Sequence, residues 1–381
     1  MPESHFKAEI MWPILVANKV LRRPFFSNSF VADFPAIADL HDRRSCPEEP
    51  IGSKLLLPVE TESVKYRLFA STWNVGGIPP DDELNLEEFL DTKNNCYDIY
   101  VTGFQEVVPL SAKSVLGWEK KKMFAKWNLI IRRTLNKRLG SFRCIVSKQM
   151  VGIMVSVWVR DDILPFIHHP SVSCVGCGVL GCLGNKGSVS VRFSLHETSL
   201  CIVCCHLASG AREEDEMLRN SNALEIISRT IFPSGPSLHL PTKMNDHERV
   251  IMLGDLNYRI SLPEEETRAL VLQEDWSILL EKDQLKMEMM EGGAFEGWRE
   301  GEINFLPTYK YYPNSDEYYG SHRAQKCLKK RAPAWCDRII WHGRGLRQTG
   351  YDRCESKHSD HRPVRATFTV EFEVLNGFDV I

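Results

Sequence analysis

The sequence predicts an α/β or α+β sandwich, on three observations. Short apolar runs of strand length recur from Tyr66 onward, longer segments with helical spacing lie between them, and no internal repeat or low-complexity tract breaks the alternation. A chain of 381 residues, 43% hydrophobic and 25% charged, has the composition of a soluble globular protein able to bury a substantial core.

In chain order, residues 1–62 read as an irregular N-terminal extension, because Pro24, Pro35, Pro47 and Pro50 punctuate them. Residues 63–376 read as the folded domain and 377–381 as a short tail. Runs rich in β-branched and aromatic residues predict strands over 66–73, 97–104, 142–146, 153–159, 188–193, 200–205, 250–253, 338–341 and 366–373. Helical spacing predicts helices over 86–93, 119–139, 213–231, 263–272 and 277–291. Glu213, Glu214 and Asp215, and likewise Glu264 to Glu266, place carboxylates at helix starts, and Ser277 is a candidate cap. Periodicity leaves the strand order open.

The formal charge of -3 gives no global attraction to polyanions, so an anionic partner requires local positive charge. Candidates are Lys120-Lys121-Lys122, which read as a solvated helix face, and Lys329-Lys330-Arg331. Twelve cysteines come without a secretory signal, since the apolar stretch 10–20 is short and contains Pro13 and Lys19. Reduced thiols in the cytoplasm are expected. Cys174 and Cys177 have a zinc-ligand spacing, as do Cys201 and Cys204, but residues i and i+3 of a strand face opposite ways, so small buried or loop cysteines are the reading adopted.

Several predicted strands carry a polar residue at one end. The run 250–253 is followed by Gly254, Asp255 and Asn257; in an extended chain the last two project to the same side, although an isolated Gly-Asp-x-Asn is also an ordinary Asx turn. Asn74, Glu106, His206, Asp337, Asp360 and His361 occupy similar positions. Together they read as one site at one end of a sheet scaffold. Carboxylates and amides without clustered thiolates suit a hard cation such as Mg²⁺, which takes few protein carboxylates and leaves room for water and phosphate. Neither a Gly-x-x-x-x-Gly-Lys-Ser/Thr loop nor a Gly-x-Ser-x-Gly elbow is present, which leaves metal-assisted attack of water on phosphorus.

The ordered elements Trp73-Asn74-Val75-Gly76-Gly77, Phe104-Gln105-Glu106, Gly184-Asn185-Lys186-Gly187, His206-Leu207-Ala208, Gly254-Asp255-Leu256-Asn257-Tyr258-Arg259, Pro333-Ala334-Trp335-Cys336-Asp337-Arg338 and Ser359-Asp360-His361-Arg362-Pro363 resemble the signature of the inositol polyphosphate 5-phosphatases. These are Mg²⁺-dependent members of the endonuclease/exonuclease/phosphatase superfamily, and the run from Met11 to Lys19 is similar to the plant type I members. The resemblance implies a four-layer α/β/β/α sandwich and a catalytic domain over 63–376 that removes the 5-phosphate from inositol polyphosphates or phosphoinositides. It assigns the metal to Glu106 with Asn74 beside it. Asp255 would orient or deprotonate water, Asn257 would hold that water in line, and His361, supported by Asp337, would donate to the phosphate. His206 and Asp360 would complete the shell. Asn185, Lys186, Tyr309, Lys310, Lys329 and Arg331 would contact the inositol phosphate head group. A monomer without nucleic-acid partners is implied, with a mixed apolar and basic N-terminal run that admits peripheral contact with the plasma membrane. A nuclease of the same superfamily and an inactive phosphoinositide-binding module are the rival readings.

Overall fold

Strand β1 (Thr61–Asn74) occupies the middle of a sheet because both of its faces are apolar: Leu68 and Ala70 point to one side, Phe69 and Trp73 to the other. The computed structural model describes residues 29–33, 61–93, 95–109, 119–138, 140–178, 184–235, 240–320 and 331–375. Strand β1 pairs antiparallel with β12 (Val364–Leu375) and parallel with β2 (Ile99–Gln105). With β11 (Leu346–Arg353), β4 (Ile153–Arg160) and β3 (Phe142–Met150), they form a six-stranded sheet in the order β11-β12-β1-β2-β4-β3.

The second six-stranded sheet has the order β5-β6-β7-β8-β10-β9. Its members are β5 (Ile167–Gly176), β6 (Gly187–Leu195), β7 (Thr198–His206), β8 (Arg249–Asp255), β9 (Arg299–Glu300) and β10 (Asp337–Gly343), and here only β7 and β8 pair parallel.

The main core lies between the sheets, where Leu68, Val101 and Val155 meet Val191, Ile202 and Leu253. Outside the first sheet, helix α1 (Glu119–Arg138) lays Trp127 and Ile131 over Phe69, Trp73 and Trp158. Outside the second, α2 (Glu213–Arg229) sets Ala223 and Ile226 on Val203, Cys205 and Val250. These clusters make the four layers of the expected α/β/β/α sandwich.

Several local expectations change. Residues 86–93 form turns, with Asp91 at φ 50°, rather than a helix. The single helix expected over 277–291 is two, α4 (Trp276–Glu281) and α5 (Gln284–Glu288), following α3 (Glu264–Leu272). The break falls at Asp283, whose carboxylate caps α5 and binds Arg338, and the cap of α4 is Asp275 rather than Ser277. Strands β5 and β11 escape the apolar pattern, one because it contains His168-His169-Pro170 and the other because it is largely polar and exposed.

The extension expected over 1–62 is described only at 29–33 and 61–62, and the tail 377–381 lies outside the described residues. Within it β1 already begins at Thr61, paired with Leu375. Val31 exchanges backbone hydrogen bonds with Ser147 at 2.9 and 2.8 Å, so this piece packs on the open edge of β3. Cys201 faces α2 while Cys204 faces the inter-sheet core, and Cys177 and Cys174 likewise join different clusters, so neither spacing gathers its thiols.

Candidate active site

Strand pairing alone aligns much of the site. Gly187 of β6 pairs with His206 of β7, His206 with Asp255 of β8, and Asp255 with Asp337 of β10, so the four lie on one transverse rung at an end of the second sheet. Gly254 permits the close approach of β8 to β7: its φ is 151°, and a Cβ there would lie 2.0 Å from the Cys205 carbonyl oxygen. The first sheet contributes Asn74 and Gln105, paired at the ends of β1 and β2, followed by Glu106 at φ 53°. The segment before β12 is fastened to the end of β1, with Ser359 Oγ donating to Asn74 O at 2.7 Å and Trp73 Nε1 to His361 O at 3.3 Å.

The side chains converge on Asp255. Its Oδ2 accepts from Asn74 Nδ2 at 2.9 Å and lies 3.2 Å from His206 Nε2, while its Oδ1 accepts the Asn257 backbone N–H at 3.1 Å. That last bond is an Asx turn, and Asn257 has φ 59°, so the strand ends at Asp255. The two residues meet through a turn rather than through the pleat expected of an extended chain. Asn74 Nδ2 also donates to Glu106 Oε1 at 3.4 Å, and its Oδ1 accepts from Gly76 N at 2.9 Å. Turning the amide over would set its oxygen against two carboxylates. The Asn74 nitrogen thus faces Glu106 and Asp255, while its oxygen accepts from Gly76 N and keeps a second lone pair.

His361 Nδ1 bonds Asp337 Oδ2 at 2.8 Å, and Thr308 Oγ1 donates to the same oxygen at 2.7 Å. Burial alone would lower the imidazole pKa, but the charges of Asp337 and Asp255 raise it to about 9. Burial would raise Asp255, yet the His361 charge, the hydrogen bond from His206 and the Lys186 ammonium hold it well below the usual carboxylate range. Asp255, Asp337 and His361 bring ligand-type atoms within 4.8 Å of one another. With Nδ1 committed to Asp337 and the imidazole pKa raised, this trio favours holding a proton. An activity that needs the imidazolium is present below pH 9 and lost above it. Asp337→Asn removes the largest raising charge and should move that alkaline limb down by roughly one to two units, read from a pH–rate profile. An unmoved limb in a folded variant would break the assignment.

The remaining expected residues divide. Lys186 contacts His206 Nε2, and its ammonium pKa is pushed down by burial against the pull of Asp255 and Glu106. Asn185 precedes it on the turn into β6. Lys310 donates to Asp360 Oδ2 at 2.6 Å, and the Tyr309 ring lies 4.6 Å from that of His361. Arg331 is half-buried, and its charge is among those that act on the ionisation of Tyr309 and Lys310. Lys329 lies outside the described residues. Thr308, Ser359 and Arg259 were given no role by the sequence. Arg259 stood in a quoted motif, whereas hydroxyls such as Thr308 carry no pattern of their own.

Glu106 is the most accessible carboxylate of the site, its side chain 29% exposed against 24% for Asp360 and 2% for Asp255. One open carboxylate with amide and carboxylate neighbours fits a hard divalent cation that keeps water and phosphate as further ligands.

The endonuclease/exonuclease/phosphatase family 2 model matches residues 71–367. Type IV inositol polyphosphate 5-phosphatase 9 of Arabidopsis thaliana is 58% identical over 96% of this chain and 92% of its own length. Type I inositol polyphosphate 5-phosphatase 8 of the same plant is 40% identical over 97% and 88%. The type I resemblance thus broadens to relatives of both types, the type IV protein being the more similar of these two. Among solved structures, the inositol polyphosphate 5-phosphatase domain of SPsynaptojanin, in complex with inositol (1,4)-bisphosphate and calcium ion, superposes with a TM-score of 0.72 at 32% identity, over 83% of this chain and 87% of that one. A shared four-layer fold, a family match across both sheets and relatives aligned over nearly their whole length make this chain a member of the inositol polyphosphate 5-phosphatases.

Proposed function

We propose that this phosphatase hydrolyses the 5-phosphate of inositol polyphosphates and phosphoinositides that also carry a 4-phosphate, with Mg²⁺ as its metal. Phosphatidylinositol 4,5-bisphosphate, phosphatidylinositol 3,4,5-trisphosphate and inositol 1,4,5-trisphosphate are the substrates in view. The observation that carries this reading is the meeting of His206, Asp255 and Asp337 on one rung with Asn74, Glu106 and His361 from the other sheet.

Glu106 would hold the cation, which supplies Lewis-acid polarisation and charge neutralisation at the phosphate. Asp255 is too strongly held as a carboxylate to be a good base, so it orients the attacking water by accepting its hydrogen bond. Asn257 donates toward the same region. His361, kept protonated by Asp337, donates to the phosphate as negative charge builds. Lys186 and Lys310 add positive charge on either side. The water oxygen joins phosphorus, the bond from phosphorus to the inositol oxygen breaks, and that oxygen takes up a proton.

The test is phosphate release from a soluble 4,5-bisphosphorylated inositol and hydrolysis of DNA, each with and without Mg²⁺. Mg²⁺-dependent release from the inositol alone is expected; DNA cleavage would favour the nuclease, and head-group binding without turnover the binding module. The proposal includes action by a monomer in the cytoplasm, meeting lipid substrates at the plasma membrane surface. Among the described residues no helix is long and apolar enough to cross a membrane.

Arg331, whose charge is felt at Tyr309 and Lys310, is proposed to bind the 4-phosphate. Removing one charge-assisted hydrogen bond, worth roughly 1.5–3 kcal/mol, should cost about 10- to 100-fold in kcat/KM. Arg331→Ala should therefore impair 4,5-bisphosphorylated substrates and leave the poor turnover of a 5-monophosphate nearly unchanged. Equal losses on both would remove the 4-phosphate assignment.

A further inference from the structure

We propose that Arg259 is a positioning residue for the reaction, acting through Asn257, and that its guanidinium is reachable from solvent through an adjoining cavity. The inference rests on the reading that Asn257 acts at the reacting phosphate.

Arg259 is buried, 8% exposed, and spends two of its donors on the residue two positions before it. Nε donates to Asn257 O at 3.0 Å and a terminal nitrogen to Asn257 Oδ1 at 2.5 Å. The Asn257 amide nitrogen in turn donates to Leu207 O at 3.2 Å. The guanidinium on its oxygen and the Leu207 carbonyl on its nitrogen fix which way round the amide sits and leave one N–H free to donate. Arg259 thus holds the amide oxygen turned toward itself and favours the amide as a donor to the site. The same clamp holds Asn257 in the left-handed region at φ 59°.

The guanidinium also lies over the Tyr309 ring, 4.6 Å from its centroid, and that ring packs 4.6 Å from His361. Contacts through the Tyr309 ring, which is tilted 42° to the imidazole, therefore join Arg259 and Asn257 to His361. A lysine could not replace it, because one ammonium cannot reach both Asn257 oxygens and lie flat on a ring.

A cavity of about 700 Å³ adjoins Arg259, walled by Arg212, Ser261, Gln284, Pro333 and Ala334 among others. The acids Glu213, Glu216 and Glu264 at the starts of α2 and α3 share that wall, so the cavity is no evident anion site but will admit a small cation. Deleting the Arg259 side chain would extend this cavity up to Asn257, which makes chemical rescue feasible.

The experiment measures kcat and KM on a soluble 4,5-bisphosphorylated inositol in Mg²⁺ for Arg259→Ala, Arg259→Lys, Asn257→Ala and Asn257→Ala/Arg259→Ala. Arg259→Ala should lose roughly 10- to 100-fold in kcat with KM little changed, and low-millimolar guanidinium should restore part of it saturably. The double variant should be no slower than Asn257→Ala. A loss carried by KM, multiplicative losses in the double variant, or no rescue of a folded Arg259→Ala would each overturn the inference. Should Arg259→Ala fail to fold, Arg259→Lys decides: reduced kcat without guanidinium rescue supports the clamp, and full activity overturns it. An inactive wild-type protein would overturn the functional reading and this inference with it, whereas an active wild type unaffected by these changes overturns only the inference.

Discussion

Glu106→Gln should lower turnover by about 10²-fold or more while the protein remains folded. The change is isosteric and removes a charge from the most exposed carboxylate of the candidate site, and no core cluster includes the position. The Asn74 amide that donates to it at 3.4 Å can still donate to a glutamine oxygen, so the neighbourhood of Asp255 should persist. Lost with the charge is affinity for a hard cation, which needs at least one carboxylate to displace its water. Divalent-metal titration of activity, with circular dichroism as the control for folding, checks the result. Near-native turnover with unchanged metal dependence would remove Glu106 from the metal site.

The second large effect concerns stability. Arg338 is fully buried, with both Asp283 oxygens at 3.0 and 2.9 Å and a bidentate bond to Glu300 at 2.6 Å on each arm. Lys286 and the Tyr351 hydroxyl complete the network at 2.9 Å each from Glu300. Replacing Arg338 by Met keeps the volume but leaves two buried carboxylates facing one ammonium, a change that typically costs about 3–5 kcal/mol. The unfolding free energy from urea titration should fall by about that amount at neutral pH, and the deficit should shrink as the pH is lowered and the stranded carboxylates protonate. A loss under about 1 kcal/mol would mean that the network is no better than a surface pair. Gln284 N donates to Arg259 O at 2.9 Å, so this network also anchors the loop that carries Asn257.

The residues of the candidate site were legible because each stands where an apolar run stops. Asn74, Glu106, His206 and Asp255 close predicted strands, and a polar residue there has no packing reason to follow a buried run. How they meet was not legible, since Asn74 and Asp255 are 181 positions apart and their contact depends on strand order. The layers followed from the alternation of Leu68 and Ala70 with Phe69 and Trp73 once two sheets were granted. Strand β11 was missed because it is largely polar and exposed and shows no apolar alternation, and what places it is its ladder to β12 together with tertiary bonds such as that of Tyr351 to Glu300. The helix expected over 277–291 failed at Asp283, where a tertiary ion pair outweighed helical spacing. Arg259 looked like one more polar residue in a motif, because its two bonds to Asn257 are a matter of rotamer rather than of spacing.

The rung through His206, Asp255 and Asp337 also bears on how this enzyme can move. Neighbouring strands stand about 4.8 Å apart, so the spacing of these three groups is ruled off by the peptide lattice and not by side-chain fit. Pulling any two of them apart would require unzipping the middle of a six-stranded sheet, an opening on the scale of global unfolding rather than of local breathing. Glu106 and the 359–361 segment stand on irregular chain instead, and side-chain bonds rather than a ladder set their distance from the rung.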